Sequence, residues 1–127
     1  MTNTAKGTFD VELTPGQTEL DGAVSRFDFT KTFHGDITGR GRGVMLAGGD
    51  RTAGAAGYVA IEVIAGVVND RRGSFALQQL GTMRSGAQTL HYEVVPGSGK
   101  DELAGISGTF QLTIDDGTHH YELAYEL

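Results

Sequence analysis

The sequence predicts an all-β domain: an eight-stranded antiparallel meander closed into a small barrel, with little or no helix. Three observations carry this. Eight runs of the chain either alternate apolar and polar residues or are rich in β-branched residues, and no stretch has helical periodicity. Glycine supplies 20 of the 127 residues and tryptophan none, a composition of strands and turns. The connections between successive runs are short, which sets consecutive strands side by side and antiparallel. Eight such strands can close on themselves and remove their exposed edges, leaving an interior just wide enough for side chains or one small ligand.

Residues 1–6 read as a frayed tail and 7–127 as one domain. The first strand, 7–13, sets Phe9, Val11 and Leu13 against Thr8, Asp10 and Glu12, so one face is buried. Thr14-Pro15-Gly16-Gln17 forms a turn, and the chain to Gly22 is a polar loop. The second strand, 24–33, carries Phe27, Phe29, Lys31 and Phe33 on one face. His34-Gly35-Asp36 is a turn of two or three residues, so the register of the next strand stays open. That strand, 36–46, places Ile37, Gly39, Gly41, Gly43 and Met45 together. Its alternate glycines leave a groove that makes room for a bulky neighbour, a sharp bend or a ligand. Ala47 to Ala56 reads as a flexible loop and candidate lid.

The centre of the chain is a hairpin of strands 57–69 and 73–81. Tyr58, Ala60, Glu62, Ile64, Gly66 and Val68 share one face; Val59, Ile61, Val63 and Val67 share the other. With an even loop, such as Asp70 to Gly73, Val68 faces Phe75, Glu62 faces Gly81, and Gln79 lies diagonal to Glu62. An odd loop would put Glu62 on the face of Ala76 and Leu80 instead. After a connection over 81–87, strand 88–95 sets Leu90, Tyr92 and Val94 on one side. Pro96-Gly97-Ser98-Gly99 stops it, and Lys100 to Gly105 is an irregular link. Strands 106–115 and 118–127 form a hairpin around Asp116-Gly117, a strong two-residue turn signal. That turn pairs Leu112 with Tyr121, Phe110 with Leu123 and Gly108 with Tyr125, and places His119 on the buried face.

Glu62 is the residue most in need of an explanation. An unpartnered polar group costs several kcal/mol when buried, about 2–7 before any charge is counted. Glu62 therefore either faces water or is a cavity carboxylate available as acid, base or hydrogen-bond anchor. Lys31 poses the matching question on its aromatic face. The preferred reading is that it snorkels to water near the strand end; the other is that it pairs with Glu62 inside the fold.

The bulk numbers narrow the function classes. A net charge of −6 argues against nucleic acid as a partner. With no cysteine there is no disulfide, thiolate nucleophile or Cys-ligated zinc. The start MTNTAKGTFD has no apolar core, and the run from Tyr58 to Val68 is too short to span a bilayer, so no membrane is expected and the cytoplasm is the expected location. His34, His91, His119 and His120 lack metal-ligand spacing, and no metal or cofactor is expected. Gly105-Ile106-Ser107-Gly108 is not a nucleophile elbow, and GRGRG fits neither a Walker nor a dinucleotide fingerprint.

The strings KTFHGDITG (31–39), GYVAIE (57–62), GSFALQQLGTM (73–83), VVPGSG (94–99), ELAGISGTF (102–110) and DGTHHYELAY (116–125) together resemble an uncharacterised bacterial domain-of-unknown-function family over nearly the whole chain. That family is similar in fold to allene oxide cyclase and dirigent proteins, a small, broadly lipocalin-like barrel, often oligomeric, with a cavity along its axis. The resemblance implies the barrel. Allene oxide cyclases steer an apolar, reactive substrate with a carboxylate and little else, and Glu62 is the matching feature here.

Two functions compete. One is a pocket for a small apolar molecule, acting by cyclisation, isomerisation or proton transfer without a cofactor. There Glu62 is the acid or base, Gln79 a positioner, and Tyr58, Phe29 and Phe75 the walls. Lys31, Leu77, Tyr92 and His119 complete the ligand-facing set. The other is a non-catalytic barrel that holds a hydrophobic ligand or is mainly a homo-oligomer. A dimer is the expected form, because Val59, Ile61, Val63 and Val67 need covering on the outside. The two functions separate on whether the interior around Glu62 is open or filled.

Overall fold

A computed structural model describes residues 2–20 and 22–127. Met1, in the expected tail, and Asp21, in the expected polar loop, lie outside the described residues. The chain forms β1 (Asn3–Gly16), β2 (Val24–Gly35), β3 (Ile37–Asp50), β4 (Ala55–Val68), β5 (Arg71–Arg84), β6 (Ala87–Val94), β7 (Lys100–Asp101), β8 (Ser107–Asp115) and β9 (Thr118–Glu126). The all-β barrel is as predicted. Eight long antiparallel strands close in the order β1-β2-β3-β4-β5-β6-β8-β9 and back to β1, and the two-residue β7 pairs with β5 outside that ring. The only helix among the described residues is a single 3-10 turn, Arg51–Ala53, and none is long and apolar enough to cross a membrane.

Several strands run further than the sequence suggested. The expected tail is strand from Asn3, and Ala5 is fully buried opposite Leu123 of β9. Polar residues at the end of the chain pair because the neighbouring edge offers a ladder of free backbone groups, which hydropathy does not report. The expected lid over 47–56 is likewise two hairpin arms, paired as far as Asp50 with Ala55. Asp50 caps the short turn between them, accepting from the Thr52 amide at 2.9 Å.

Tight turns fix the registers. Asn69 and Asp70 both take positive φ (44° and 73°), as do Ser85 and Gly86 (49° and 80°) and Asp116 and Gly117 (50° and 80°). Two positive φ values in a two-residue loop match the right-handed twist of the flanking strands. The β8–β9 register is the one read from Asp116-Gly117, with Gly108 opposite Tyr125. At the central hairpin the turn is Asn69-Asp70, not Asp70 to Gly73, so Val68 faces Arg71, Ile64 faces Phe75 and Glu62 faces Leu77. The slip is an even number of residues, so every side chain keeps its predicted face.

The inner faces fill the barrel with Phe9, Phe33, Phe75, Phe110, Tyr121 and their aliphatic neighbours. One end is plugged. The chain leaves the wall after Val94, and Leu103 and Ile106 turn into the core. At the other end the inner faces flare apart: Leu13, Leu90 and Ile114 share the inward parity of Phe9, Tyr92 and Phe110, yet are 55%, 40% and 61% exposed.

Candidate functional site

Glu62 points inward from β4 and is 2% exposed. The solvent-facing reading of this residue therefore fails. Its Oε1 accepts hydrogen bonds from Lys31 Nζ at 2.8 Å and from the Tyr92 hydroxyl at 2.6 Å. Lys31 also donates to the Tyr92 oxygen at 2.9 Å. Lys31 is 6% exposed and does not snorkel: it stands mid-strand, opposite Gly41. The aromatic face around it supplies partners instead. The rings of Phe9, Phe29 and Tyr92 lie 4.5, 5.2 and 5.6 Å from its ammonium, within cation–π range.

The glycine groove explains how the pair meets. Lys31 stands on β2 and Glu62 on β4, with β3 between them. Gly41 faces Lys31 on one side and Ile64 on the other, and Gly43 joins Phe29 to Glu62. A Cβ at Gly41 would lie 2.9 Å from Glu62 Oε2, and one at Gly43 would lie 2.4 Å from Phe29. Bare backbone at both positions lets the flanking side chains cross β3. Of the three uses the sequence left open, the groove makes room for bulky neighbours.

Tyr92 reaches the pair from β6, across β5. Burial first, and the Glu62 charge second, hold its phenol well above the usual tyrosine range, so it remains a donor. Both donors crowd onto Oε1. Oε2 is buried and has no hydrogen-bond partner among the described residues, and it stands where a Cβ on Gly41 would come within 2.9 Å of it.

The other predicted residues divide. Phe29 lies against the ammonium, and Leu77 stands opposite Glu62. Phe75 is inward and buried one pleat towards the plug, opposite Ile64. Gln79 does not touch Glu62; it faces Ala60 and accepts from the Tyr58 hydroxyl at 2.8 Å, making a half-buried pair nearer the flared end. His119 packs its ring against Phe9, tilted, at 5.1 Å and joins no polar cluster among the described residues. Phe9 was missed as a neighbour of Lys31. Its parity was plain in the sequence, but β1–β2 register sets Phe9 beside Phe33 and Val11 opposite Lys31. No group of three His, Asp or Glu side chains suited to a metal occurs among the described residues.

A surface concavity on the outside of the wall is lined by Val44, Leu46, Val59, Ile61, Gln78 and Leu80 among others.

The crystal structure of a protein of unknown function from Shewanella oneidensis MR-1, from the DUF3224 family, superposes on this barrel with a TM-score of 0.92 and 41% sequence identity, covering 100% of this chain and 98% of that one. No curated protein matches the sequence. The family described as "Protein of unknown function (DUF3224)" matches residues 5–125, and the chain belongs to it.

Proposed function

We propose that the barrel binds one small, mainly apolar molecule through its flared end, and that a hydrogen-bonding group of that molecule meets Glu62 Oε2. The observation that carries this reading is the buried, unpartnered carboxylate oxygen. A buried acceptor without a donor costs about 1–3 kcal/mol, and more when charged. An O–H or N–H on a ligand would remove that cost. The apolar side chains at the mouth, Leu13, Leu90 and Ile114 with half-buried Val11 and Leu112, suit an apolar frame. Phe29, Leu77 and Tyr92 would bound it below, and the Tyr58–Gln79 pair offers a second polar point.

A carbon acid placed at Oε2 would lose its proton there, which is the isomerase- or cyclase-type step implied by the likeness to allene oxide cyclases. Lys31 and Tyr92, both on Oε1, would hold the carboxylate still, and the step needs no cofactor. Lys31, Glu62 and Tyr92 are shut off from bulk water, so any ligand has to displace side chains at the mouth.

That same closure favours a second reading, a non-catalytic structural barrel whose interior is filled by its own aromatic rings. The test is an amide and methyl NMR titration with 1-decanol, and with its methyl ether as control. Ligand binding predicts shifts at Val11, Leu90, Leu112 and the Glu62 strand for the alcohol, weaker shifts for the ether, and loss of the alcohol's advantage in Glu62→Leu. Equal shifts for both compounds, or none at the mouth, would sink the ligand reading and leave the structural one.

A further inference from the structure

Among the described residues, nothing covers the outer face of β3 to β6. Three registers place it in rows: Leu46, Val59, Leu80 and His91 side by side, then Val44, Ile61, Gln78 and Glu93, then Arg42, Val63 and Ala76. Val59, Ile61, Val63 and Leu80 are each about half exposed, at 49%, 53%, 53% and 48%. Contiguous apolar surface of this kind on a sheet marks an interaction site.

The charges flanking it are unequal. Arg42 and Arg40 stand on the β3 side, and neither has a carboxylate within ion-pair distance among the described residues. On the β6 side stands Glu93, whose carboxylate meets only the Gln78 amide among the described residues, at 3.2 Å. One edge is thus basic and unpaired, and the opposite edge is acidic and without a cation.

From this arrangement we infer that the face is an isologous interface with a second copy of this chain, about a two-fold axis that runs along the strands between β4 and β5. That operation lays β3 of each copy over β6 of the other. Val59 of one copy then covers Leu80 of the other, and Val63 covers Ala76. Arg42 comes to lie one pleat, about 7 Å along the strand, from Glu93 of the other copy, within reach of an arginine side chain. A self-complementary patch is what a two-fold contact requires. The overall charge of −6 repels two copies at long range, so the contact needs basic groups at its edge. The shallow dish in this wall lets two sheets meet over several strands, where a bulging wall would touch along a line.

The test is sedimentation of the full chain at micromolar concentration, alone and with substitutions on this face. The wild type is expected as a dimer. Ile61→Lys and Leu80→Lys, both at half-exposed positions, are expected as monomers with unchanged circular dichroism and urea midpoint. Arg42→Glu and Glu93→Arg should each raise the dimer dissociation constant about tenfold or more, and the double exchange should recover most of that loss. A monomeric wild type overturns the inference, and so does a dimer indifferent to both lysine substitutions. A double exchange no tighter than either single one overturns it too, because the cross-copy pair would then not exist.

Discussion

Tyr92 donates its hydroxyl to Glu62 at 2.6 Å, on the same oxygen that takes the Lys31 ammonium at 2.8 Å. The three residues come from β2, β4 and β6, alternate strands of the wall, so each bond passes over the strand between. Gly41 and Gly43 open that path on one side. The arrangement concentrates both donors on one carboxylate oxygen and leaves the other bare. A symmetric bridge would have spread the donors and left nothing to offer a ligand.

The ion pair is buried on both sides, at 6% and 2% exposure, so its parts should depend strongly on each other. Lys31→Met leaves a carboxylate in the core with one donor, and Glu62→Leu leaves an ammonium with a hydroxyl and three rings. Each single substitution should cost about 3–5 kcal/mol, while the double should lie within about 1–2 kcal/mol of the wild type, because an apolar pair avoids the desolvation of both charges. Urea unfolding of the four proteins measures the coupling. Additive single effects would show that the bridge is not the coupled unit the geometry describes.

Tyr92 makes the fold sensitive to alkali. Its phenol is raised in the fold, by burial first and by Glu62 second, above the ordinary value near 10.0. A raised folded value means that the contribution is present in full below the unfolded value and is lost as the pH rises through the folded one. The urea midpoint of the wild type should therefore fall as the pH climbs above about 10, and Tyr92→Phe should fall less steeply. Parallel curves would remove Tyr92 as the cause.

Tyr121 closes the β2–β3 corner. Its hydroxyl accepts from the Ile37 amide at 2.8 Å and donates to the His34 carbonyl at 2.9 Å, where the strand ladder has stopped at Phe33 and Gly39. Tyr121→Phe strands a buried backbone N–H and should cost about 1–3 kcal/mol. Amide exchange offers the sharper check: the Ile37 amide should lose protection far more than Phe110, which stacks on the same ring at 5.7 Å. Equal loss at both would indicate general loosening.

Much of this was legible in the chain. Asp116-Gly117 fixes the last hairpin unaided, because the turn type dictates the pairing of both strands. The inward parity of Phe29, Lys31, Glu62, Phe75, Leu77 and Tyr92 follows from period-two alternation, and it survived a misplaced central turn because the slip was even. What alternation cannot supply is the meeting of Lys31 with Glu62. That depends on the register across β3, which the turn at His34-Gly35-Asp36 left open, and on closure, which brings β6 within reach of β4. The lengths of β1 and β3 were also hidden, since Asn3 to Lys6 and Ala47 to Asp50 pair through backbone groups that carry no side-chain signal.

The two glycines of the groove should respond differently to the same added methyl. At Gly41 a Cβ would meet Glu62 Oε2 at 2.9 Å and Phe33 at 3.2 Å, both side-chain atoms rather than backbone, so a small shift relieves the contact. At Gly43 it would meet the Phe29 ring at 2.4 Å and the Ile61 carbonyl at 2.5 Å, and that carbonyl is part of the β3–β4 ladder and cannot move alone. Overpacking a core by one methyl costs about 1–3 kcal/mol. Gly41→Ala belongs at the lower end of that range and Gly43→Ala at or beyond the upper. The ligand reading separates them again: Gly41→Ala caps the free oxygen and should abolish the preference for 1-decanol over its methyl ether, even though the protein stays folded. Urea midpoints test the first ordering and the NMR titration the second. A Gly41→Ala protein that kept the full alcohol preference would mean that Oε2 is not where the ligand's polar group sits.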